Sequence, residues 1–170
     1  MRSVPKSLLW AWAVATAALY GVLAYGSYVT LPFLARGTLG FDMRPLGMPV
    51  DEAESYLTDM WWRAGVYYTD VLRPLDTAFI AALSVLAIAV AMRLGGRLAV
   101  PSIVFALAYA GADLLENYYV GLVMAPGSTS TGDWPIDLGL ITIATRTKFA
   151  TLILMALFLL TQWRRSHAQR

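Results

Sequence analysis

The chain has 170 residues, of which 58% are hydrophobic and 14% are charged, and it contains no cysteine. Soluble domains average about 45–50% apolar and about 25% charged residues, so much of this protein's surface must face something other than water. The absence of cysteine excludes disulfide frameworks, thiolate metal sites and thiol–disulfide relays.

Four apolar segments are each long enough to cross a bilayer, which takes about 20 helical residues. They cover approximately residues 8–31, 75–92, 98–124 and 138–163. The first follows basic residues but exceeds the h-region of a signal peptide, about 7–15 residues, so we interpret it as a retained helix. The sequence therefore predicts one all-α membrane domain, residues 1–170. Its predicted architecture is a four-transmembrane-helix bundle with an amphipathic interfacial helix in the first outer loop.

Short features mark the ends of these spans. The glycine-containing turn at residues 93–97 makes the second and third spans antiparallel neighbours. Asp137 is placed to cap the fourth span. Prolines are expected near span ends, where a missing N–H costs little; they are Pro32, Pro74, Pro101 and Pro135. Small residues are expected to allow close helix contacts; they are Ala11, Ala15, Gly21, Ala108, Gly111 and Ala112.

The distribution of charge predicts the orientation. Lys and Arg occur without Asp or Glu in three segments: the N-terminus, the 93–97 turn and the tail at 164–170. The loop after the first span is instead rich in Asp and Glu. By the positive-inside rule, both termini are cytoplasmic and the larger loops face outward. The net charge of +2 is then an orientation signal, and no nucleic-acid partner is expected. Because His167 is the single histidine and lies in the tail, no metal site and no cofactor are expected.

Residues 32–74 are too long and too aromatic for a slack linker. Asp51 and Glu54 have the spacing of a capping box, which predicts a helix over about residues 52–66. Its apolar stripe would contain Ala53, Tyr56, Leu57, Met60, Trp61 and Ala64. This helix either lies in the outer interface, lidding the bundle, or covers a ligand entrance with an aromatic wall of Trp61, Trp62, Tyr67 and Tyr68. In the preceding turn we expect an ion pair, either Asp42 with Arg44 or a longer-range one.

Three of the spans contain ionisable residues, which are costly in hydrocarbon and usually face partners or a wet cavity. At 1.5 Å per residue they fall in one layer of the outer membrane half, level with Tyr25 and Tyr28. The candidate polar cluster consists of Asp76, Asp113, Glu116, Asn117, Thr145, Arg146 and Lys148.

Helical geometry refines this cluster. Asp113, Glu116 and Asn117 share one face because they stand at i, i+3 and i+4. Arg146 and Lys148 point about 160° apart, so only one of them faces the acids. We expect Lys148 to point inward and Arg146 to reach the outer headgroups or the loop.

The sequence leaves several functions open for this layer. The layer is either a structural ionic network that orients the helices, or the site of a binding or accessory module. In the second case, an outward-facing polar pocket receives the head of a lipid-like ligand or a polar residue of a membrane-protein partner. Two carboxylates on one helix face also favour acid–base chemistry on an amphiphilic substrate, as in a membrane enzyme. An oligomeric proton-coupled transporter is a further alternative.

Three short motifs carry a resemblance. Residues 41–47 (FDMRPLG), 113–117 (DLLEN) and 145–149 (TRTKF) are similar to the FD-x-RP-x-G loop, L-E-N helix and T-x-x-K helix of a family of small bacterial four-helix inner-membrane proteins without an assigned activity. The resemblance implies a bacterial inner-membrane location and no particular reaction. It adds weight to Asp42, Arg44, Glu116, Asn117 and Lys148.

The predicted orientation can be tested by labelling, because the natural chain offers no competing thiol. A membrane-impermeant maleimide should label Ser130→Cys in the last loop from the outer side only. Ala168→Cys in the tail is the control and should react only after the membrane is opened. Labelling of residue 130 from the cytoplasmic side alone would reverse the assigned orientation.

Overall fold

In a computed structural model of the protein, residues 5–125 and 134–168 are described. The chain is 84% helical, and no strand occurs in these two ranges. The helices are α1 (Lys6–Leu34), α2 (Val50–Asp59), α3 (Trp62–Leu94), α4 (Ala99–Met124) and α5 (Gly139–Ala168). All except α2 are long and apolar enough to cross a membrane. The predicted all-α four-helix membrane class is confirmed. Ser130, chosen above for labelling, lies outside the described residues.

The spanning helices pack in a fixed order. α4 packs most extensively on α5, α3 packs on α4, and α1 packs mainly against α3. The start of α1, the α3–α4 turn and the end of α5 lie together at what we name the terminal end. The opposite, loop end carries the segment between α1 and α3. Exposed side chains on these helices are largely apolar, as for Val22, Leu107 and Ile143, because a bilayer rather than water surrounds them.

The larger hydrophobic core lies at the loop end. This core contains Leu31 of α1, Leu72 of α3 and Val123 of α4 together with Tyr56 and Leu57 of α2. α2 therefore packs its apolar face onto the end of the bundle. A smaller core in the other half contains Ala87, Ala106 and Met155.

The predicted helix over 52–66 is two elements. α2 begins at Val50, directly after Pro49, and Asp51 makes no capping hydrogen bond, so its predicted role as the cap is wrong. The fixed φ of proline pre-sets the first turn, and the acidic residues there interact with the helix dipole instead. Met60 and Trp61 are extended, and the Trp61 N–H donates to the Leu34 carbonyl at 3.3 Å. Because of this break, Trp61 leaves the predicted stripe and is exposed.

α3 begins at Trp62, well before the predicted start near residue 75. Pro74 consequently lies inside a continuous helix rather than at its end. A wide π-helical turn, Tyr68–Leu72, precedes it, and a similar turn, Gly26–Thr30, precedes Pro32 in α1. Proline lacks an N–H and crowds the preceding turn, and a widened turn lets the helix continue past it. The two wide turns also touch, since a Cβ on Gly26 would meet the Leu72 side chain.

Two predicted helix ends are confirmed. Gly95 and Gly96 adopt φ of 66° and 77° in the tight α3–α4 turn, a conformation that glycine adopts without strain. The Gln162 side chain of α5 donates to the carbonyls of Ala91 and Gly95 at 2.8 and 2.7 Å, which ties the end of α3 to α5. At the start of α5, Asp137 accepts a hydrogen bond from the backbone N–H of Gly139 at 2.8 Å.

The small residues expected at helix contacts are mostly elsewhere. Gly21 and Gly111 have no neighbour within 4 Å of an added Cβ, and Ala11, Ala15 and Ala108 are exposed. The close approaches occur instead at Gly65, where a Cβ would meet the Met124 carbonyl oxygen, and at Gly121, where it would meet the Arg73 guanidinium. Composition alone does not distinguish a lipid-facing small residue from one at a contact.

Gly65 and Gly111 form a matched pair for testing this packing. Gly65→Ala should lower the free energy of unfolding by about 1–3 kcal/mol, because α3 and α4 must separate to admit the methyl group. Gly111→Ala meets open space and should raise it by up to about 1 kcal/mol through helix propensity. Thermal or denaturant unfolding in one detergent measures both, and a loss of similar size in the two variants would contradict the contact.

Candidate functional site

Ionisable side chains from four parts of the chain converge at the loop end. Asp76 comes from α3, Asp113 and Glu116 from α4, Lys148 from α5, and Asp42 from the loop. We name these five residues the acid–lysine cluster. Glu116 is 0% exposed and Lys148 7% exposed, so the centre of the cluster is closed to solvent.

Lys148 is the hub of the cluster. Its Nζ forms an ion pair with Oε2 of Glu116 and lies 3.1 Å from Oδ1 of Asp113. The Thr145 hydroxyl, one turn earlier on α5, donates to Oε1 of Glu116 and is also 2.9 Å from the Ile141 carbonyl oxygen. Both oxygens of Glu116 are therefore engaged by α5.

A second branch joins α4 to α3. The Asn117 side-chain amide donates to Oδ2 of Asp76 at 2.6 Å, and its Oδ1 accepts a hydrogen bond from the Tyr68 hydroxyl at 3.1 Å. Tyr68 belongs to the wide turn of α3. Tyr109, one turn before Asp113, interacts with the Asp113 carboxylate. The sequence did not single out Tyr109, although its i, i+4 spacing from Asp113 is a usable signal.

The loop between α1 and α2 contributes Asp42 to the cluster. The short 3₁₀ turn Phe41–Met43 packs on α5 and brings the Asp42 carboxylate near Lys148, Asp76 and Asp113. Its Oδ1 is buried and has no hydrogen-bond partner among the described residues. Burial raises the pKa of Asp42 to about 7, while Lys148 opposes this rise and the two acids add to it.

Arg44 does not pair with Asp42. Its Nη1 lies 2.6 Å from Oε1 of Glu52 on α2, which is the longer-range alternative left open above. The same segment is held on α5 by two further hydrogen bonds, from Thr142 Oγ1 to the Met48 carbonyl at 2.6 Å and from Arg146 Nε to the Leu46 carbonyl at 2.8 Å. We name residues 35–61 the roof, because they cover the loop end of the bundle above the cluster.

The candidate cluster includes Arg146 by depth, but Arg146 reaches the loop, as the helical geometry predicted. It is exposed and reaches the roof, because it points away from Lys148 on the same helix. Tyr25 and Tyr28 are also exposed, so sharing a depth does not bring them into the cluster.

The predicted aromatic wall is not formed. Trp61 and Trp62 are 47% and 68% exposed, Tyr67 is half-buried near Gly26, and Tyr68 is buried in the cluster's second branch. The helix break at residues 60–61 leaves Trp61 outside α3. Within α3, the helical period places Trp62 about 120–140° around the axis from Tyr67 and Tyr68. Trp61 instead packs edge-on against Phe33 with ring centroids 6.4 Å apart.

The charges of the cluster do not balance. Four carboxyl groups and one ammonium interact there, so full ionisation would give a net charge of −3 in a buried site. Burying an unbalanced charge costs several kcal/mol per ion, and like carboxylates at close range share protons rather than ionise together. In the described parts of the chain, no group of three or more His, Cys, Asp and Glu side chains forms a metal site.

Four apolar spanning helices around a buried ionic cluster define a small multi-pass α-helical membrane protein. Comparison of the chain with protein-family models, curated proteins and solved structures gives no significant match. Its function is therefore inferred from the chemistry of the cluster itself.

The pKa of Asp42 has a measurable consequence for stability. A carboxyl whose folded-state pKa is about 7 holds its proton from about pH 4 to 7, where the unfolded chain has released it. Stability should therefore fall as pH rises through this window. Asp42→Asn should flatten that dependence and raise the melting temperature at pH 8 relative to the wild type.

Asp51→Asn, at an exposed position on α2, is the matched control and should keep the wild-type slope. Melting temperatures at pH 5, 6, 7 and 8 in one detergent supply the measurement. Equal slopes for the wild type and Asp42→Asn would show that the Asp42 carboxylate is not buried in the cluster.

Proposed function

We propose that the protein is a membrane-embedded acid–base module, whose acid–lysine cluster takes up and releases protons at the loop end. The observation that carries this proposal is the excess of acid: four buried or partly buried carboxyl groups interact with a single lysine. One carboxylate oxygen, Oδ1 of Asp42, is also buried without a hydrogen-bond partner among the described residues.

A purely structural network would be expected to look different. Buried ion pairs that only orient helices balance their charges and satisfy their hydrogen bonds, because each unpaired group is penalised in full. Here Lys148, Glu116 and Asp113 are joined by ion pairs, whereas Asp42 and Asp76 are in excess and form no ion pair among the described residues. The excess acids are the groups that hold exchangeable protons.

The arrangement also supports a route for those protons. Asp113, Glu116 and Lys148 are buried, whereas Asp42 and Asp76 are partly exposed and form the rim of the cluster. Asp42, whose pKa lies near 7, stands between the buried centre and the surface of the roof. Protons would pass between water and Lys148 by way of this rim.

The module would use this exchange for acid–base chemistry on an amphiphilic substrate or, in an oligomer, for proton-coupled transport. We place it in a bacterial inner membrane with both termini in the cytoplasm and the loop end outward. The charge sorting of the loops and the motif resemblance support this placement.

A lidded binding or accessory module is the second candidate. The observation that favours it is the roof, which is attached to α5 through the two hydrogen bonds from Thr142 and Arg146. Release of these bonds would open the cluster to a lipid-like ligand or a membrane-protein partner. The acid excess selects a cationic or hydrogen-bond-donating head group.

Infrared spectroscopy of the protein in nanodiscs tests the proton-holding role. The wild type should show the C=O stretch of protonated carboxyl groups at neutral pH, decreasing as pH rises. Asp42→Asn should weaken this band, because it removes the carboxyl group whose pKa lies near 7. Lys148→Met should strengthen it, because loss of the cation leaves the acids to share more protons.

Asp70→Asn is the matched control, since Asp70 is an exposed acid on the same helix as Asp76. It should leave the band unchanged, and Lys148→Arg should preserve the wild-type spectrum. Absence of a protonated-carboxyl band in folded wild-type protein at neutral pH would refute the acid–base proposal. A lipid or subunit that copurifies with the wild type and is lost from Glu116→Gln would then support the second candidate.

A further inference from the structure

A groove at the terminal end, far along the bundle from the acid–lysine cluster, has a different character. It lies between the start of α1 and the end of α5, with the last turns of α3 as its floor, and encloses about 550 Å³. Ligand sites typically measure about 300–1,000 Å³. The groove exists because α1 packs mainly against α3 rather than against α5.

The inner wall of the groove is apolar. It is lined by Leu9 and Ala13 of α1 and by Leu86, Val90 and Leu94 of α3. These residues lie on membrane-spanning helices, so the groove is continuous with the depth at which acyl chains run. Its inner part suits a hydrocarbon chain.

The mouth of the groove is basic. Lys6, Arg93 and His167 line it from three different helices, and an adjoining cavity of about 300 Å³ is lined by Arg97 and Arg165. No acidic residue occurs in the segments that form these walls, residues 6–13, 86–97 and 162–168. The mouth is therefore complementary to an anion.

Aromatic residues frame the same opening. Trp10 and Trp163 line it and are exposed, as are the tryptophans that stand at the level of lipid head groups. The His167 ring lies 4.7 Å from the Trp163 ring, and its Nδ1 is 3.0 Å from the Trp163 carbonyl oxygen.

We propose that this groove binds one anionic phospholipid. The phosphate lies at the mouth among Lys6, Arg93 and His167, and an acyl chain follows the wall formed by Leu9, Leu86 and Val90. A basic mouth, an apolar wall and a tryptophan frame together match a phosphate joined to a chain better than either part alone. The lipid fills the space between α1 and α5 and so stabilises the bundle at an end remote from the cluster.

Native mass spectrometry of the full chain, with phosphatidylglycerol or phosphatidylcholine added to the detergent, tests this proposal. One phosphatidylglycerol should be retained at concentrations where phosphatidylcholine is not, and it should raise the melting temperature. The double variant Lys6→Gln, His167→Gln should bind phosphatidylglycerol about tenfold more weakly, since each basic group near a lipid phosphate contributes modestly. Arg36→Gln with Arg63→Gln, two exposed cations at the loop end, is the control and should bind as the wild type does.

A second variant separates a seated lipid from loose attraction of anions. Val90→Phe fills the apolar wall and leaves every cation in place, so it should reduce phosphatidylglycerol retention while the protein stays folded by circular dichroism. Unchanged retention in folded Val90→Phe, or equal retention of the two lipids by the wild type, would overturn the proposal. Displacement of the lipid by millimolar glycerol phosphate would show a site for the free phosphate instead.

Discussion

The ion pairs of Lys148 with Glu116 and Asp113 are the interaction on which the arrangement of helices depends. An ammonium group inside a membrane protein needs carboxylate partners at short range, because no water is present to solvate it. Meeting this need aligns α4 with α5, the most extensive helix contact in the bundle. Once they are aligned, Thr145 faces the second oxygen of Glu116, and Asn117 turns toward Asp76 on α3. One buried cation thus sets the register of three spanning helices.

The two π-helical turns and the roof complete the acid–lysine cluster at the loop end of the bundle. The π-helical turn before Pro74 lets α3 continue toward the loop end and places Tyr68 against Asn117. The matching turn before Pro32 gives α1 the shape that packs Gly26 on Leu72. Between these two helices, the roof delivers a fourth carboxyl group. The π-helical turn of α3 therefore lies next to the acid–lysine cluster, and such turns often occur at functional sites.

The two ends of the bundle differ in charge in a way that matches their proposed roles. The loop end holds an excess of buried acid, which favours protons and cations, whereas the terminal end presents a basic groove without any acid in its walls. An amphiphile with a cationic head would be drawn to one end and an anionic phospholipid to the other. The charge of the protein is accordingly distributed unevenly along its long axis, with acids at one end and bases at the other, although its net charge is only +2.

The sequence by itself determined the four spans, the 93–97 turn, the Asp137 cap and the common face of Asp113, Glu116 and Asn117. Those features depend on bilayer thickness, helical period and cap chemistry, which are local rules. The tertiary structure alone decided where α3 begins and that Trp61 and Trp62 face away from Tyr68. It also decided that Arg146, which the sequence directed to the head groups or the loop, binds the Leu46 carbonyl of the roof. It also brought in Asp42, because the path of a loop between two helices is set by packing that no local pattern records. Asp42 lies near Lys148 while nearby Arg44 pairs with Glu52 of α2, and both placements depend on how the loop packs on α5 and α2.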